Sequence, residues 1–372
     1  MKICIISREL MDDYSGSFEF DQAYALAKES NEVCLISLDL RSIRRKRQLG
    51  ITQICDKGLD IIKISIPLGA INKKLFYKIA IRRFTKILKK RIAQCGDFDV
   101  IHAHFLDNAY ITAKALNKVE SKARFFVTEH TDTTKFEKNK GYFKDIVNTG
   151  YGSADGLITV SRSLAEKIYN NYGFKSIVIS NVVDTELFYR HKMNARDRKE
   201  KVFVSVGFLT QNKRMDMLVR CFDKAFGGDP QYKLYICGDG PDREKVIEEI
   251  KRSRSSENIH LLGFQSRKNI AGIFSESDVF VLLSAEETFG VVLIEAMAAG
   301  LPVIATKSGG PQEFVTEETG LLAEHSEDEI VRDLKYMAAH SGDYDAEKIS
   351  EYAISKFSPE VIARELSSCY RS

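Results

Sequence analysis

No stretch of this chain approaches the roughly 20 consecutive apolar residues that a bilayer-spanning helix needs, so a membrane span is not expected. Proline is scarce, with only 6 in 372 residues, which argues against long disordered linkers. The seven cysteines, at positions 4, 34, 55, 95, 221, 237 and 369, include no Cys-x-x-Cys pair and no Cys/His spacing of a zinc site. An odd count without such spacing reads as reduced thiols in a cytosol and excludes a disulfide framework or structural zinc. The opening MKICIIS reaches Arg8 and Glu9 too early for a signal peptide and reads as a first strand. Acids are nearly missing between Arg41 and Gly96: 16 Lys or Arg stand against Asp56 and Asp60 alone. That local +14, in a chain of net +3, leaves −11 elsewhere and marks one basic region on an otherwise acidic protein.

What is present is a globular composition, 44% hydrophobic and 29% charged, in a chain long enough for two domains. Short β-rich runs alternate with helical stretches from end to end. KICIIS, NEVCLISL, LDIIKISI, DVIHAH, ARFFVTEH, GLITVS and SIVIS read as strands, with helices such as Phe18–Glu29, Leu75–Ile92 and Leu164–Tyr172 among them. The pattern restarts with KVFVSVG, YKLYICG, IHLLGF, VFVLLS and LPVIAT, and helices near 214–226, 241–253, 266–275 and 290–299. The polar, aperiodic stretch near 184–200 reads as a linker. The expected architecture is α/β: two Rossmann-like, doubly wound domains facing across a cleft, with ligands at the C-terminal strand ends. The expected domains are 1–183 and 184–355, with a C-terminal helix of about 356–372 packing back on the first.

One segment raises a physical question. EETFGVVLIEAMAAGLPVIA, 286–305, carries Glu295 inside a helix flanked by Val291 to Ile294 and Ala296 to Ala299. Burying a carboxylate without partners costs several kcal/mol. Either Glu295 faces solvent on a packed helix, or it accepts hydrogen bonds from ligand hydroxyls. Gly290 at the helix start lets backbone N–H groups approach an anion closely. A sugar diphosphate would suit both features.

The Glu287–Glu295 spacing resembles the E-x7-E motif of retaining family 4 glycosyltransferases of the GT-B fold. The resemblance continues through ADGLITVS (154–161), ISNVVDTELF (179–188), SVGFLTQNKRMDMLV (205–219), CGDGP (237–241), IHLLGF (259–264), SGGPQEFV (308–315) and TGLL (319–322), in order and over nearly the whole chain. It implies transfer of a sugar from a nucleoside diphosphate donor, UDP favoured, with retention of configuration. The C-terminal domain would grip the donor and the N-terminal domain the acceptor. On this resemblance Glu295 binds ribose hydroxyls and Glu287, rather than Glu286, the transferred sugar. Backbone groups around Thr288, Phe289, Gly290 and Val291 hold phosphates or sugar. Lys213 neutralises the diphosphate, Gly263 and Phe264 hold the base, and Gly16 belongs to a short glycine loop beside the phosphates. The leaving phosphate itself takes the acceptor's proton, so no protein nucleophile is implied. No DxD motif stands where a GT-A enzyme keeps one, and neither a cofactor nor an essential metal is expected.

The chain departs from the family at Gly207-Phe208, where Arg usually follows the glycine, which removes a bidentate phosphate clamp. Arg214, next to Lys213, is the available substitute. His102, His104 and His130 lie at the ends of two predicted strands. A strand-end histidine is usually structural, but three at one sheet edge suggest a site. By resemblance His130 is the cleft histidine, and with Asp132 the three form the acceptor side. The 71–91 segment has Phe76, Ala80, Phe84, Ile87 and Leu88 on one helical face and Lys74, Lys78, Arg82, Lys86 and Lys89 along another. It reads as a surface helix, or as one that also docks on an anionic membrane, helped by Arg41, Arg44, Arg45, Lys46 and Arg47. No aromatic interleaving points to nucleic acid. The expectation is therefore a cytoplasmic enzyme, peripheral on the inner face of the plasma membrane, acting on a glycan or lipid-linked acceptor. Alternatives are a UDP-sugar epimerase of the same fold and a non-catalytic nucleotide-sugar-binding subunit. A dinucleotide-dependent dehydrogenase rests only on Gly238-Asp239-Gly240.

Overall fold

The computed structural model describes residues 1–10, 17–40, 50–66, 71–133, 140–189 and 200–372. Gly16, the 41–49 basic run and residues 190–199 of the expected linker lie outside these. The chain forms two compact units, Met1–Val182 with Pro359–Ser372, and Val183–Ser358.

The first unit runs β1 (Lys2–Arg8), α1 (Phe18–Lys28), β2 (Glu32–Asp39), β3 (Gly50–Asp56), β4 (Leu59–Ser65), α2 (Lys73–Cys95), β5 (Val100–His104), α3 (Leu106–Leu116), β6 (Arg124–Glu129), α4 (Lys140–Gly152), β7 (Gly156–Thr159), α5 (Arg162–Tyr172) and β8 (Ile177–Val178). Its eight strands lie in the order β3-β4-β2-β1-β5-β6-β7-β8. All pairings are parallel except β3 with β4. The antiparallel β3 is absent from the sequence reading for a physical reason: it is an edge strand, mostly exposed, with no continuous apolar run. Central β1 is the opposite case, with Ile3, Cys4, Ile5 and Ile6 wholly buried.

The second unit runs α6 (Thr185–Phe188), β9 (Lys201–Val206), α7 (Met215–Phe226), β10 (Tyr232–Cys237), α8 (Arg243–Arg252), β11 (Ile259–Gly263), α9 (Arg267–Ser275), β12 (Val279–Leu282), α10 (Val291–Ala298), β13 (Val303–Thr306), β14 (Gly320–Ala323), α11 (Glu327–His340) and α12 (Ala346–Phe357). Part of the expected linker is thus helical. Asp184 caps α6 by accepting from Leu187 N, and Phe188 is buried against Phe274. Amphipathic α7 buries Met215, Leu218, Val219 and Phe222, each contributing about 1.5–3 kcal/mol of gross hydrophobic stabilisation. The six strands are ordered β11-β10-β9-β12-β13-β14, all parallel. The order reverses between β9 and β12, so the loops leaving those two strands diverge and open a crevice at their carboxyl ends.

The last helix, α13 (Pro359–Arg371), returns to the first unit. Its Ile362, Leu366 and Tyr370 share a core with Ile3 and Ile5 of β1 and Phe20 and Leu26 of α1.

Candidate functional site

The crevice of the second unit lies where β9 and β12 part, and two residues 74 positions apart meet there. Lys213, in the loop after β9, donates from Nζ to Glu287 Oε2 at 2.6 Å, and Ser284 Oγ lies 3.3 Å from the same oxygen. Both side chains are largely shielded yet reachable, 20% and 14% exposed. Backbone bonds fix the Glu287 loop. Glu287 N donates to Ser308 O, Gly310 N donates to Glu287 O, and Ala285 N donates to Asn212 O. Glu286 is exposed, so of the two adjacent acids Glu287 is the more shielded and the one that meets Lys213.

The same loop leads into α10. Gly290 caps it at φ 98°, and a Cβ there would meet Leu293 at 2.9 Å. Glycine is therefore favoured by the backbone conformation, while in space a Cβ would have to displace the tip of the Leu293 side chain. By helix geometry the first-turn N–H groups, those of Val291 and Val292 among them, have no intrahelical acceptor. They carry the positive end of the helix dipole. Phe289 does not offer its side chain: the ring is buried against Phe314 and Phe357. Only its backbone, with that of Thr288, is available to a ligand. The helix ends in a Schellman motif, with Leu301 N bonding Ala296 O and Gly300 N bonding Met297 O.

Glu295 does not face solvent. It is 5% exposed, and its Oε1 accepts from Arg267 Nη2 at 3.0 Å. Arg267 is the first residue of α9, whose start is fixed by Ser266 Oγ accepting from Asn269 N. The guanidinium also sits 5.4 Å from the Phe188 ring. An apolar helix accepts this glutamate because a cation on the neighbouring helix meets it. The sequence reading missed Arg267. The available signal was a basic residue at a Ser-capped helix start just after the Gly263-Phe264 pair.

The remaining residues read from the donor motifs line the same strand ends. Phe208 and Phe264 are exposed at 65% and 63%. Gly263 has φ 68° and open space beside it. Gly207 N bonds Cys237 O, and Gly238 N bonds Gly263 O, so three successive loops are stitched together. A Cβ on Gly238 would lie 1.9 Å from Gly207 O, and one on Gly240 2.4 Å from Leu209 O. These glycines serve loop packing, which removes the one feature that suggested a dehydrogenase. Arg214, at φ 50°, is occupied: its Nη1 is 2.7 Å from His325 Nδ1. With an arginine donor there, Nδ1 accepts and His325 Nε2–H donates to Lys307 O at 3.2 Å.

At the carboxyl edge of the first unit's sheet the three histidines separate into different roles. His102 is a correction to the expected acceptor set. It is fully buried, with Nδ1 2.6 Å from Tyr370 of α13 and Nε2 2.7 Å from Thr128. Burial pushes its pKa down to about 3, and it fastens α13 to the sheet. His104 is also wholly buried, its Nδ1 2.9 Å from His130 Nε2. His130, 7% exposed, packs its ring at a tilt against those of Phe18 and Phe105, and the Asn181 side chain lies beside it. Burial holds His104 and His130 far below the usual imidazole range, Arg8 adding to both effects. His130 is thus a neutral hydrogen-bonding group, not a proton reservoir. Asp132 is buried as well and is ion-paired with Lys167 at 2.9 Å.

Two residues around His130 were not singled out. Phe105 adopts φ 69° and ψ 149°, a posture that costs a non-glycine residue about 1–3 kcal/mol. Arg8 lies 3.5 Å above its ring. Glu129, 0% exposed, has its pKa raised to about 7 by burial, although it accepts four hydrogen bonds. Among the described residues, no group of three or more His, Cys, Asp or Glu could hold a metal ion.

On α2, Lys74, Lys78, Arg82 and Lys86 are exposed, while Tyr77, Ala80, Phe84 and Leu88 are buried. Lys74 Nζ lies 5.6 Å from the Tyr142 ring. Among the described residues no helix is long and apolar enough to cross a membrane.

Comparison with known proteins agrees with this geometry. Residues 190–356 match the family model for glycosyl transferases group 1, and residues 20–187 the model for glycosyltransferase family 4. The chain is 27% identical over 246 residues to N-acetyl-alpha-D-glucosaminyl L-malate synthase of Bacillus anthracis, covering 63% of each chain. It is 34% identical over 192 residues to 2-deoxystreptamine N-acetyl-D-glucosaminyltransferase of Niallia circulans, covering 51% of this chain and 48% of that one. Both matches span less than two thirds of the relative's length. Sucrose-phosphate synthase of Thermosynechococcus elongatus shares the fold at 20% identity and TM-score 0.77, covering 99% of this chain and 98% of the other. Anabaena HepE, in complex with UDP and glucose, does so at 16% and 0.75, covering 100% and 99%. With two Rossmann-like units and both family models matched in sequence order, the chain belongs to the group 1, family 4 glycosyltransferases of the GT-B fold.

Proposed function

We propose that this protein is a retaining glycosyltransferase that moves a sugar from a UDP-sugar to a hydroxyl of a lipid-linked or membrane-proximal glycan. The observation that carries the reading is the Lys213–Glu287 pair at the switch point, beside the glycine-capped start of α10. Breaking the glycosidic bond builds negative charge on the leaving diphosphate. Lys213 and the first-turn N–H groups of α10 stabilise that charge more in the transition state than in the ground state. Their positive charge does the work a metal does elsewhere. Donor binding swaps the Lys213–Glu287 ion pair for a Lys213–phosphate contact and frees Glu287 for sugar hydroxyls. Glu295, oriented by Arg267, receives the ribose. Neutral His130 offers a hydrogen bond on the acceptor side. The names of relatives such as the two N-acetylglucosaminyl-transferring enzymes make a UDP-N-acetylhexosamine the first donor to test.

The exposed lysines and Arg82 of α2 suit docking on an anionic membrane at its cytoplasmic face, each basic residue adding about 1 kcal/mol. Loss of anionic-liposome binding on neutralising Lys74, Lys78, Arg82 and Lys86 together is the expected result. Equal binding by parent and variant removes the membrane step.

The primary test is a thermal-shift screen of UDP-, GDP- and ADP-sugars. Ligand at 100 times its Kd adds about 2.7 kcal/mol, or roughly 5–10 °C for units of this size. No shift with any of them sinks the reading. Interconversion of the free nucleotide sugar without transfer would identify an epimerase instead.

A further inference from the structure

We infer that Glu129 is a positioning residue for sugar transfer: its buried carboxylate fixes, in one node, the loop that presents His130 and the first turn of α3 beside it. The inference deepens the transferase reading and rests on it for the kinetic consequence only.

The geometry is specific. Glu129 is the last residue of β6 and is fully buried. Oε1 accepts from the backbone N–H of His130 at 2.9 Å and of Thr131 at 2.8 Å. Oε2 accepts from Leu106 N at 2.9 Å and from the Tyr151 hydroxyl of α4 at 2.8 Å. Leu106 is the first residue of α3, and its N-cap, Phe105, makes no side-chain cap bond. Glu129 therefore caps α3 from another strand, meeting one of the helix's orphan donors. Phe105 is held on both sides, since its own N–H bonds Thr128 O at 2.9 Å and the next N–H bonds Glu129. This is what keeps a left-handed, non-glycine residue in place under Arg8, with its ring 4.8 Å from that of His130. His130 in turn meets His104 at 2.9 Å, while His130 Nδ1 and His104 Nε2 are buried and, among the described residues, meet no hydrogen-bond partner of good geometry, Asn181 being the side chain beside His130. Two imidazoles with unspent polar atoms are thus set in one posture by a carboxylate that touches neither ring through the bonds described.

The chemistry of the node makes it sensitive to a minimal change. When Glu129 is ionised, above its raised pKa of about 7, both oxygens accept only, and all four partners donate. In Glu129→Gln one oxygen becomes an amide NH2. The Tyr151 hydroxyl can reverse its role and accept from it, but a backbone N–H cannot. The substitution therefore confronts a donor with a donor at Leu106 or at the His130–Thr131 pair.

The test uses the full chain in two arms. The first needs no substrate: amide hydrogen exchange, and NMR of 15N-labelled histidine rings, in parent, Glu129→Gln and Tyr151→Phe. In Glu129→Gln the Leu106, His130 or Thr131 amide should exchange at least tenfold faster, and the His130 ring signals should shift. In Tyr151→Phe, which keeps all three N–H bonds, they should stay near the parent's. The second arm follows UDP release from UDP-N-acetylglucosamine. Glu129→Gln should lose at least tenfold in kcat with KM for the donor within twofold, because donor grip lies in the other unit. Unchanged exchange and ring signals overturn the node itself, and changed signals with unchanged kcat overturn its role in transfer. A parent without UDP release counts against the transferase reading and leaves the first arm to decide the node. Should Glu129→Gln not fold, Glu129→Asp, charged but one methylene shorter, carries the same readouts.

Discussion

Replacing Arg267 by leucine is the sharpest available perturbation of the second unit. Arg267 and Glu295 are 13% and 7% exposed at the side chain and meet at 3.0 Å. Removing one partner of such a pair strands a buried charge, at about 3–5 kcal/mol. The contact with Phe188 adds about 0.5–1 kcal/mol. With an m-value near 2 kcal/mol/M in urea, the midpoint should fall by roughly 1.8–3 M. Arg267→Leu with Glu295→Leu removes both charges and restores packing. It should be more stable than either single variant and within about 2 kcal/mol of the parent. The assay is urea unfolding of the four proteins by circular dichroism, with a second probe to separate the two units. An Arg267→Leu midpoint within about 0.5 M of the parent would equate the pair with a surface ion pair, worth about 0–1 kcal/mol, and refute the buried-pair argument. The isosteric Glu295→Gln then addresses function. Charge-assisted bonds to ribose of about 1.5–3 kcal/mol predict UDP binding weakened roughly 10- to 100-fold, and an unchanged Kd removes the ribose role.

Other consequences are as direct. Lys213→Ala should reduce turnover about 100- to 1000-fold; near-normal turnover in a steady-state assay takes Lys213 away from the diphosphate. Gly238→Ala places a Cβ 1.9 Å from Gly207 O and should cost more than about 3 kcal/mol; a thermal midpoint equal to the parent's contradicts the stitched loops. Acidification should destabilise the first unit. His102, His104 and His130 are neutral when folded but take protons below about pH 6.5 when unfolded, so each lowers stability by about 1.4 kcal/mol per pH unit. Glu129, raised to about 7, opposes them, as do Glu19 and Glu365, also raised by burial, because such carboxyls bind their protons sooner when folded. Three strongly shifted histidines against Glu129 and the more weakly shifted Glu19 and Glu365 leave a net loss of about 1–2 kcal/mol per unit between pH 6 and 5; urea midpoints that hold or rise over that interval refute the assignment.

The sequence carried the fold where burial imposes continuous apolar runs, as in β1, β9 and β12. It failed at β3, whose exposed residues leave no such signature, and at the short β14. Lys213 and Glu287 were readable because local motifs mark each, and the strand order brings them together. Arg267 and Glu129 were not, since their importance comes from partners distant along the chain. His102 shows the converse: its place at a strand end resembles that of His130, and only the return of Tyr370 distinguishes an anchor from a surface group.

That return has a bearing on biosynthesis. The 14 residues that complete the N-terminal core emerge from the ribosome only after the whole second unit. Until then, the seat of Ile362, Leu366 and Tyr370 stays bare, and the nascent first half carries a sticky apolar groove. A chain stopped at Ser358 should bind a hydrophobic dye such as ANS, and a synthetic peptide of residues 359–372 should quench that signal.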